Sequence, residues 1–322
     1  MPHIIRVAPG TAVDTLEKAF TLLPDDGAPA VVRLAPGVYR GRAVLARAHT
    51  TLEGEAAGQA RIVFGDFARD VLPGGEKRGT FRTATLRTDA PDITLRRLII
   101  ENDAAPRERA GQAIALYADG DRLLVEDCVL RGRQDTLFTA PLPPREIEPN
   151  GFAGPKRSAP RTPQRQTYRR CRIEGDIDFI FGSAAAWFDA CDIVAVDGRG
   201  DVSTPFAAYC TAASTPENQA FGYVFHRCRF LGEGCPAGSV YLGRPWREWA
   251  RTVLIDCELG AHIAAAGFDD WGKPLAHETA FYAEYGSFGP GAEGPRAPFV
   301  RRLTRAQAEA FTYARFLASM PD

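Results

Sequence analysis

Two aspartates share one setting. Asp135 stands in Gly132-Arg133-Gln134-Asp135-Thr136-Leu137-Phe138, and Asp178 stands in Gly175-Asp176-Ile177-Asp178-Phe179-Ile180-Phe181. Each follows a glycine and precedes a phenylalanine by the same offset, and each lies the same distance beyond a cysteine, Cys128 or Cys171. Two carboxyl groups brought close together cannot both ionise freely. One keeps its proton and the other carries the charge, which supplies an acid and a nucleophile in one site. Aspartate is also a common turn residue, but a turn needs none of the apolar flanks seen here: Leu137 and Phe138 beside the first, Ile177, Phe179, Ile180 and Phe181 beside the second. Arg244, in Tyr241-Leu242-Gly243-Arg244-Pro245-Trp246, can hold one carboxylate ionised by a bidentate contact; a surface ion pair is the alternative. Trp246 offers a flat apolar face for a ring-shaped ligand, or is a core residue. Gln112, in Gly111-Gln112-Ala113-Ile114-Ala115-Leu116, sits on an apolar strand, and Gln134 immediately precedes Asp135. Buried amides need partners. These two either donate to an oxyanion or form a structural amide ladder.

Such chemistry needs elements that stack equivalent residues. The segments around Cys128, Cys171, Cys191, Cys228 and Cys257 align. Three places before each cysteine stands Val125, Tyr168, Phe188, Phe225 or Leu254, and two places after it Leu130, Ile173, Ile193, Phe230 or Leu259. Short alternating segments of this kind read as strands, and Gly132, Gly175, Gly232 and Gly260 punctuate them. Short strands recurring every few dozen residues with little helix between them predict a solenoid whose coils stack into ladders. The fold expected is therefore all-β, a β-helix forming a single domain over residues 1–322. The cysteines read as small buried residues in a row, since free cysteine packs as a small hydrophobe. If the coils of Asp135 and Asp178 are neighbours, their backbones lie roughly 4.8 Å apart.

The remaining chain fits this scheme. Residues 60–65, 81–87 and 93–101 read as further strands. Thr11 to Leu23 has a helical period in Val13, Leu16, Phe20 and Leu23, with Thr11 as N-cap. Thr304 and Gln307 form a capping-box pattern ahead of Ala308, Phe311 and Phe316. Such terminal helices are expected to cap the exposed ends of a solenoid. Residues 140–166 form a proline-rich excursion with no period. The net charge of −1 makes no demand for nucleic acid or an anionic membrane, and no apolar run approaches the length of a membrane span. Seven cysteines cannot all pair internally, and the five histidines form no ligand-spaced cluster.

Together these segments resemble the pectin methylesterase (pectinesterase) family. The matching stretches are Gly111–Leu116, Gly132–Phe138, Gly175–Gly182 and Leu242–Trp246, with weaker similarity from Gly37-Val38-Tyr39 through Phe81–Leu86 and Ile93–Asn102. The resemblance implies a right-handed parallel β-helix and hydrolysis of galacturonate methyl esters in pectin or methylated oligogalacturonides. It implies Asp178 as nucleophile, Asp135 as acid and then base, Gln112 and Gln134 as oxyanion donors, and Arg244 as the partner that keeps Asp178 charged. Phe138, Phe181 and Trp246 would form aromatic walls of sugar subsites, with Ile177, Phe268 and Trp271 as further substrate contacts. No metal or organic cofactor is implied. The chain departs from the family pattern at Gly41, at Ser183 and at Gly267-Phe268, where the family carries Gly-Trp. The excursion after Asp135 is expected to overhang the cleft and restrict substrate length or access.

Other readings remain at this stage: another carbohydrate or acyl (thio)ester hydrolase on the same scaffold, a glycosidase, or a non-enzymatic polyuronide-binding module. Paired carboxylates suit glycoside cleavage too, but that reaction passes through an oxocarbenium ion and has no use for oxyanion donors. The expected partners are the polyuronide and water, without nucleic acid or membrane, and a monomer is expected. Met1-Pro2-His3-Ile4-Ile5-Arg6 lacks a leader's apolar stretch, and unpaired cysteines suit a reducing compartment. The expectation is thus a cytoplasmic protein, or a secreted or periplasmic one if a leader has been removed.

Overall fold

The structure, a computed structural model, describes residues 1–104, 107–199 and 205–320. Its strands form three parallel sheets of eleven, eight and seven strands, and the chain visits them in turn. Neighbours within each sheet belong to successive coils, the order of a parallel β-helix, with the right-handed sense that parallel crossovers take. The seven-stranded sheet runs through Ala43–Leu45, Leu86–Thr88, Leu116–Ala118, Leu137–Thr139, Ile177–Gly182, Ala208–Ala213 and Val240–Pro245.

The cysteine repeat marks one corner of each coil. Immediately before Cys128, Cys171, Cys191, Cys228 and Cys257 stand Asp127, Arg170, Ala190, Arg227 and Asp256, all with φ between 50° and 53°. One left-handed residue turns the chain sharply from the eleven-stranded to the eight-stranded sheet. None of these residues is glycine, so each turn costs about 1 kcal/mol or more. The corner N–H bonds into the next coil, as from Asp127 to Arg169 O and from Arg170 to Asp189 O, both at 3.0 Å. The thiols continue the ladder. Cys171, Cys191 and Cys228 donate to Val125 O, Tyr168 O and Phe188 O of the preceding coil, each at 3.4 Å, and Cys257 donates to Phe225 O at 3.3 Å. All seven cysteines are free, and all but the half-buried Cys235 are buried.

The same register stacks aromatic rings inside. Phe188 lies parallel to Tyr168 and Phe225, with centroids 4.7 and 4.5 Å away and both interplanar angles 11°. One continuous core reaches from Val7 to Tyr282.

Some elements differ from expectation. Residues 81–87 are not one strand: a 3-10 turn, Thr80–Arg82, precedes the strand Leu86–Thr88. Residues 93–101 split into Ile93–Arg96 and Leu98–Asn102 because Arg97 is a corner, with φ 56°. The first helix is Leu16–Thr21, and its cap is Thr15, whose hydroxyl accepts from Lys18 N, rather than Thr11. The Thr11 hydroxyl is taken by the carbonyls of Ala8 and Val13 in a preceding turn. The Thr304–Gln307 capping box is present, but the segment forms two short helices, Arg305–Ala308 and Tyr313–Leu317. They carry Ala308 and Phe316 onto the outer face of the eleven-stranded sheet, against Trp187, Val224 and Val253.

The excursion is an anchored strap. The Arg161 guanidinium donates to the carbonyls of Pro143, Lys156, Arg157 and Ala159, which closes the strap on itself. Lys156 pairs with Asp89 and Asp119. Leu142 and Phe152 join Phe81 in covering Tyr117 and Phe138 on the outer face of the seven-stranded sheet.

Because Phe188 joins three coils, Phe188→Ala is expected to cost about 3–5 kcal/mol in urea unfolding. A loss under 1 kcal/mol would show that the coils hold together without this stack.

Candidate active site

The seven-stranded sheet brings the two aspartates together. Leu137 pairs with Ile180 and Phe138 with Phe181, so the coils of Asp135 and Asp178 are neighbours. Asp135 N donates to Ile177 O at 3.0 Å. Both aspartates are left-handed, with φ 68° at Asp135 and 51° at Asp178. The consequence is directional. Phe179 and Ile180 both face the core and Phe181 faces outward, whereas strict alternation would turn Asp178 inward. The left-handed step, with a register shift between Ile177 and Ile180, returns Asp178 to the cleft. Asp135 has the same arrangement: Thr136 and Leu137 are buried behind it, and Phe138 faces outward. The glycine three places earlier is part of this fold-back, since a Cβ on Gly175 would stand 2.3 Å from that of Phe179.

Arg244 separates the two carboxylates electrostatically. Its Nε and Nη2 donate to the Oδ1 and Oδ2 of Asp178 at 2.8 and 2.7 Å. The guanidinium is sandwiched between Tyr209 and Trp271, 4.0 and 3.8 Å from the ring centroids. Burial raises the Asp178 carboxyl above its ordinary value, and the two Arg244 bonds oppose that rise. Asp135 has no such bond. Burial and the neighbouring Asp178 charge push it well above the usual carboxylate range. The pair is therefore asymmetric: Arg244 favours the charge on Asp178, and the proton is favoured on Asp135.

Around the pair lies a cavity of about 600 Å³, lined by Gln112, Gln134, Phe181, Trp246 and Trp271 among others. Gln112 lies in irregular chain ahead of the strand Leu116–Ala118 rather than on a strand, and Ala113 N ties that segment to Gln134 O at 3.0 Å. Neither glutamine side chain forms a hydrogen bond with another described residue, so there is no amide ladder and their donors are free for a ligand. Two aromatic expectations need correction. Phe138 is fully buried, because Phe81 and the strap residues Leu142 and Phe152 cover it. Phe268 is 1% exposed and stacks on Tyr282 inside the core, with centroids 4.2 Å apart. Neither lines the cleft, and neither does the half-buried Ile177.

The cleft also contains residues that the sequence did not single out. Phe81, Ile147, Glu148 and Phe152 come from the 3-10 turn and the strap, which lack a period. Tyr209 stands in register with Ile177 and Tyr241, so extending the ladder by one coil would have found it. Lys273 donates to Pro245 O and Trp246 O at 2.6 and 3.1 Å, fixing the turn that carries Trp246. Burial, aided by the Arg247 charge, pulls its ammonium down to about 8.

A profile of the Pectinesterase family matches residues 5–142 and 160–320. The chain belongs to the pectinesterase family. The profile passes over 143–159, which lie in the strap. Pectin methylesterase PemA from Erwinia chrysanthemi is 28% identical with a TM-score of 0.80, the match covering 100% of this chain and 98% of that one. A pectin methylesterase solved in complex with a hexasaccharide is 27% identical with a TM-score of 0.81, covering 100% and 99%. Probable pectinesterase/pectinesterase inhibitor 64 of Arabidopsis thaliana is 29% identical over 94% of this chain and 48% of its own length. The chain spans about half the length of several curated plant relatives that it matches.

The raised Asp135 carboxyl has a consequence for stability. A folded-state pKa above the unfolded value stabilises the fold below the unfolded pKa, about 3.9, and that stability is lost as pH rises through the folded pKa. Asp135→Asn is therefore expected to melt higher than wild type at neutral pH, with the gap closing on acidification below about pH 4. A gap independent of pH would show that Asp135 is not the strained member of the pair.

Proposed function

We propose that the protein is a pectin methylesterase that hydrolyses methyl esters of galacturonate units in pectin or methylated oligogalacturonides. The observation that carries this reading is the asymmetric dyad: Asp178 clamped by Arg244 and, one coil away in the same cleft, the buried Asp135 with no such partner and its carboxyl pushed well above the usual range. Membership of the family supports it.

The sequence of steps follows from the roles of the two carboxyl groups. An Asp178 oxygen attacks the carbonyl carbon of the ester. The negative charge that develops on the carbonyl oxygen is received by the free amides of Gln112 and Gln134. As the tetrahedral adduct collapses, Asp135 gives its proton to the departing methoxy oxygen and methanol leaves. Asp178 is then joined to the sugar acid as an anhydride. Asp135, now charged, takes a proton from water, and the resulting hydroxide attacks the sugar acyl carbon. The Asp178 carboxylate is expelled from the acyl carbon and restored, the galacturonic acid departs and yields its proton to solvent, and Asp135 holds its own proton again. Trp246, Trp271 and Phe181 supply the apolar faces on which the rings rest.

Methanol release from highly methylated pectin and from short methylated oligogalacturonides tests the reading. Asp178→Ala is expected to abolish it, and Asp135→Asn to lower kcat by about 10²- to 10⁴-fold. A folded wild type that releases methanol from neither substrate would sink the proposal, and a panel of acyl esters and thioesters would follow.

Activity requires an ionised Asp178, so Arg244→Gln should move the acid limb of the pH–rate profile to higher pH. A limb that stays in place would remove Arg244 from this role. Shortening the strap between Arg145 and Ala159 is expected to raise the rate on polymer relative to trimer, because Ile147, Glu148 and Phe152 form one wall of the cleft. An unchanged ratio would show that the strap does not govern access.

A further inference from the structure

The loop after Phe268 carries two residues of the cleft wall, Trp271 and Lys273. Asp269 N donates to Gly243 O at 3.0 Å, which moors the loop beside the strand of Arg244. The Asp269 and Asp270 carboxylates accept from Trp271 N and Gly272 N, each at 2.8 Å. Trp271 and Gly272 are both left-handed, with φ 56° and 62°. The chain reverses there, and Lys273 N closes the turn onto Asp270 O at 3.0 Å. The Lys273 side chain returns over Trp271, its ammonium 4.4 Å from the ring centroid.

That ammonium joins two pieces of the cleft. Its bonds to Pro245 O and Trp246 O reach 28 and 27 positions back along the chain. The Trp271 ring beneath it also packs on the Arg244 guanidinium, at 3.8 Å. Arg244, Trp271, Lys273 and the Trp246 turn therefore form one closed circuit of contacts. Among the described residues no carboxylate stands within ion-pair distance of the ammonium. Arg244 and Arg247 repel its charge, and Glu248 and Asp178 attract it from further off. Asp269 and Asp270 lie on its own loop. Both hold backbone N–H groups there, and Asp270 also meets His277 at 2.8 Å. The exposed Glu148 of the strap lines the same cavity. With burial and the Arg247 charge against it, the ammonium keeps its proton only up to about 8.

We propose that Lys273 is a positioning residue of the esterase site: its charged form holds Trp246 and Trp271 in place for the substrate, and loss of its proton loosens both, so affinity falls on the alkaline side. The inference rests on the reading of the cleft as a pectin methylesterase site. A neutral amine still reaches the two carbonyls, but its hydrogen bonds lose their charge assistance and about half their strength. Its contact with the Trp271 ring also ceases to be a cation–π interaction. The Trp246 turn then gains freedom that substrate binding must remove. The effect falls on binding, because Lys273 transfers no proton in the reaction.

The test measures calorimetric binding of a fully methylated trigalacturonate, which carries no titrating carboxyl. The protein is the Asp135→Asn variant, in which turnover is slowed and the neighbouring acid no longer titrates. Affinity is expected to be level below about pH 7 and to fall about tenfold above about pH 9, the worth of one charge-assisted hydrogen bond. Adding Lys273→Arg, whose guanidinium stays charged throughout, is expected to abolish that fall. Adding Lys273→Met is expected to leave a weak affinity that does not change with pH. The slope with pH is the readout, since a merely structural loss would leave it in place. An arginine variant that loses affinity over the same pH range as the lysine protein overturns the proposal. So does a methionine variant that binds as tightly as the lysine protein at pH 7. Failure of the parent reading looks different: wild type would release no methanol from the trimer, and the Asp135→Asn protein would not bind it at any pH.

Discussion

Two hydrogen bonds from Arg244 to Asp178 set the electrostatics of the cleft. Without them, two buried carboxyl groups one coil apart would compete for a single proton with nothing to favour either. With them, the charge is favoured on Asp178 and the proton on Asp135. The pair joins residues 66 positions apart in the chain, so its geometry is inherited from the stacking of coils. Tyr209 and Trp271 hold the guanidinium from both faces, and Lys273 secures the carbonyls of the adjacent turn. A cation restrained in this way has little freedom left to lose.

The scaffold stores strain at the two aspartates of the cleft. Left-handed backbone at Asp135 and Asp178 turns both side chains out of a sheet that would otherwise bury at least one of them. The same conformation recurs at the corner before each cysteine, where it bends the chain between sheets. At the corners the cost is offset by N–H bonds into the next coil and by a buried ladder of thiols and rings. In the cleft the Asp135 N–H has such a bond as well, but the buried carboxyl beneath it does not, so the strain there is not offset in the same way.

The strap reshapes the surface that the solenoid provides. Phe138 belongs to an outward row with Tyr117 and Phe181, and in a bare sheet that row would be a platform for rings. Leu142, Phe152 and Phe81 bury its middle. What remains is a short aromatic wall at Phe181, Trp246 and Trp271, and a second cavity beyond Phe81 with a different charge.

Much of this was legible in the residues themselves. A repeat of small and apolar side chains at constant offsets can be read without coordinates, because a parallel solenoid imposes one register on every coil. That register gave Asp135 and Asp178 the same position on their coils, the Leu137–Ile180 pairing made those coils neighbours, and the Arg244 and Trp246 motif could be named from its residue types. Other features required tertiary structure. Phe138 and Phe268 resemble surface aromatics in sequence, and only packing shows that the strap covers one and Tyr282 the other. Thr11 and Thr15 are equally good caps by type, and the turn that consumes the Thr11 hydroxyl decides between them. The strap has no period, so its contacts follow from where Arg161 and Lys156 find partners. Periodic segments carry their own register, whereas irregular ones take their shape from whatever surface they meet.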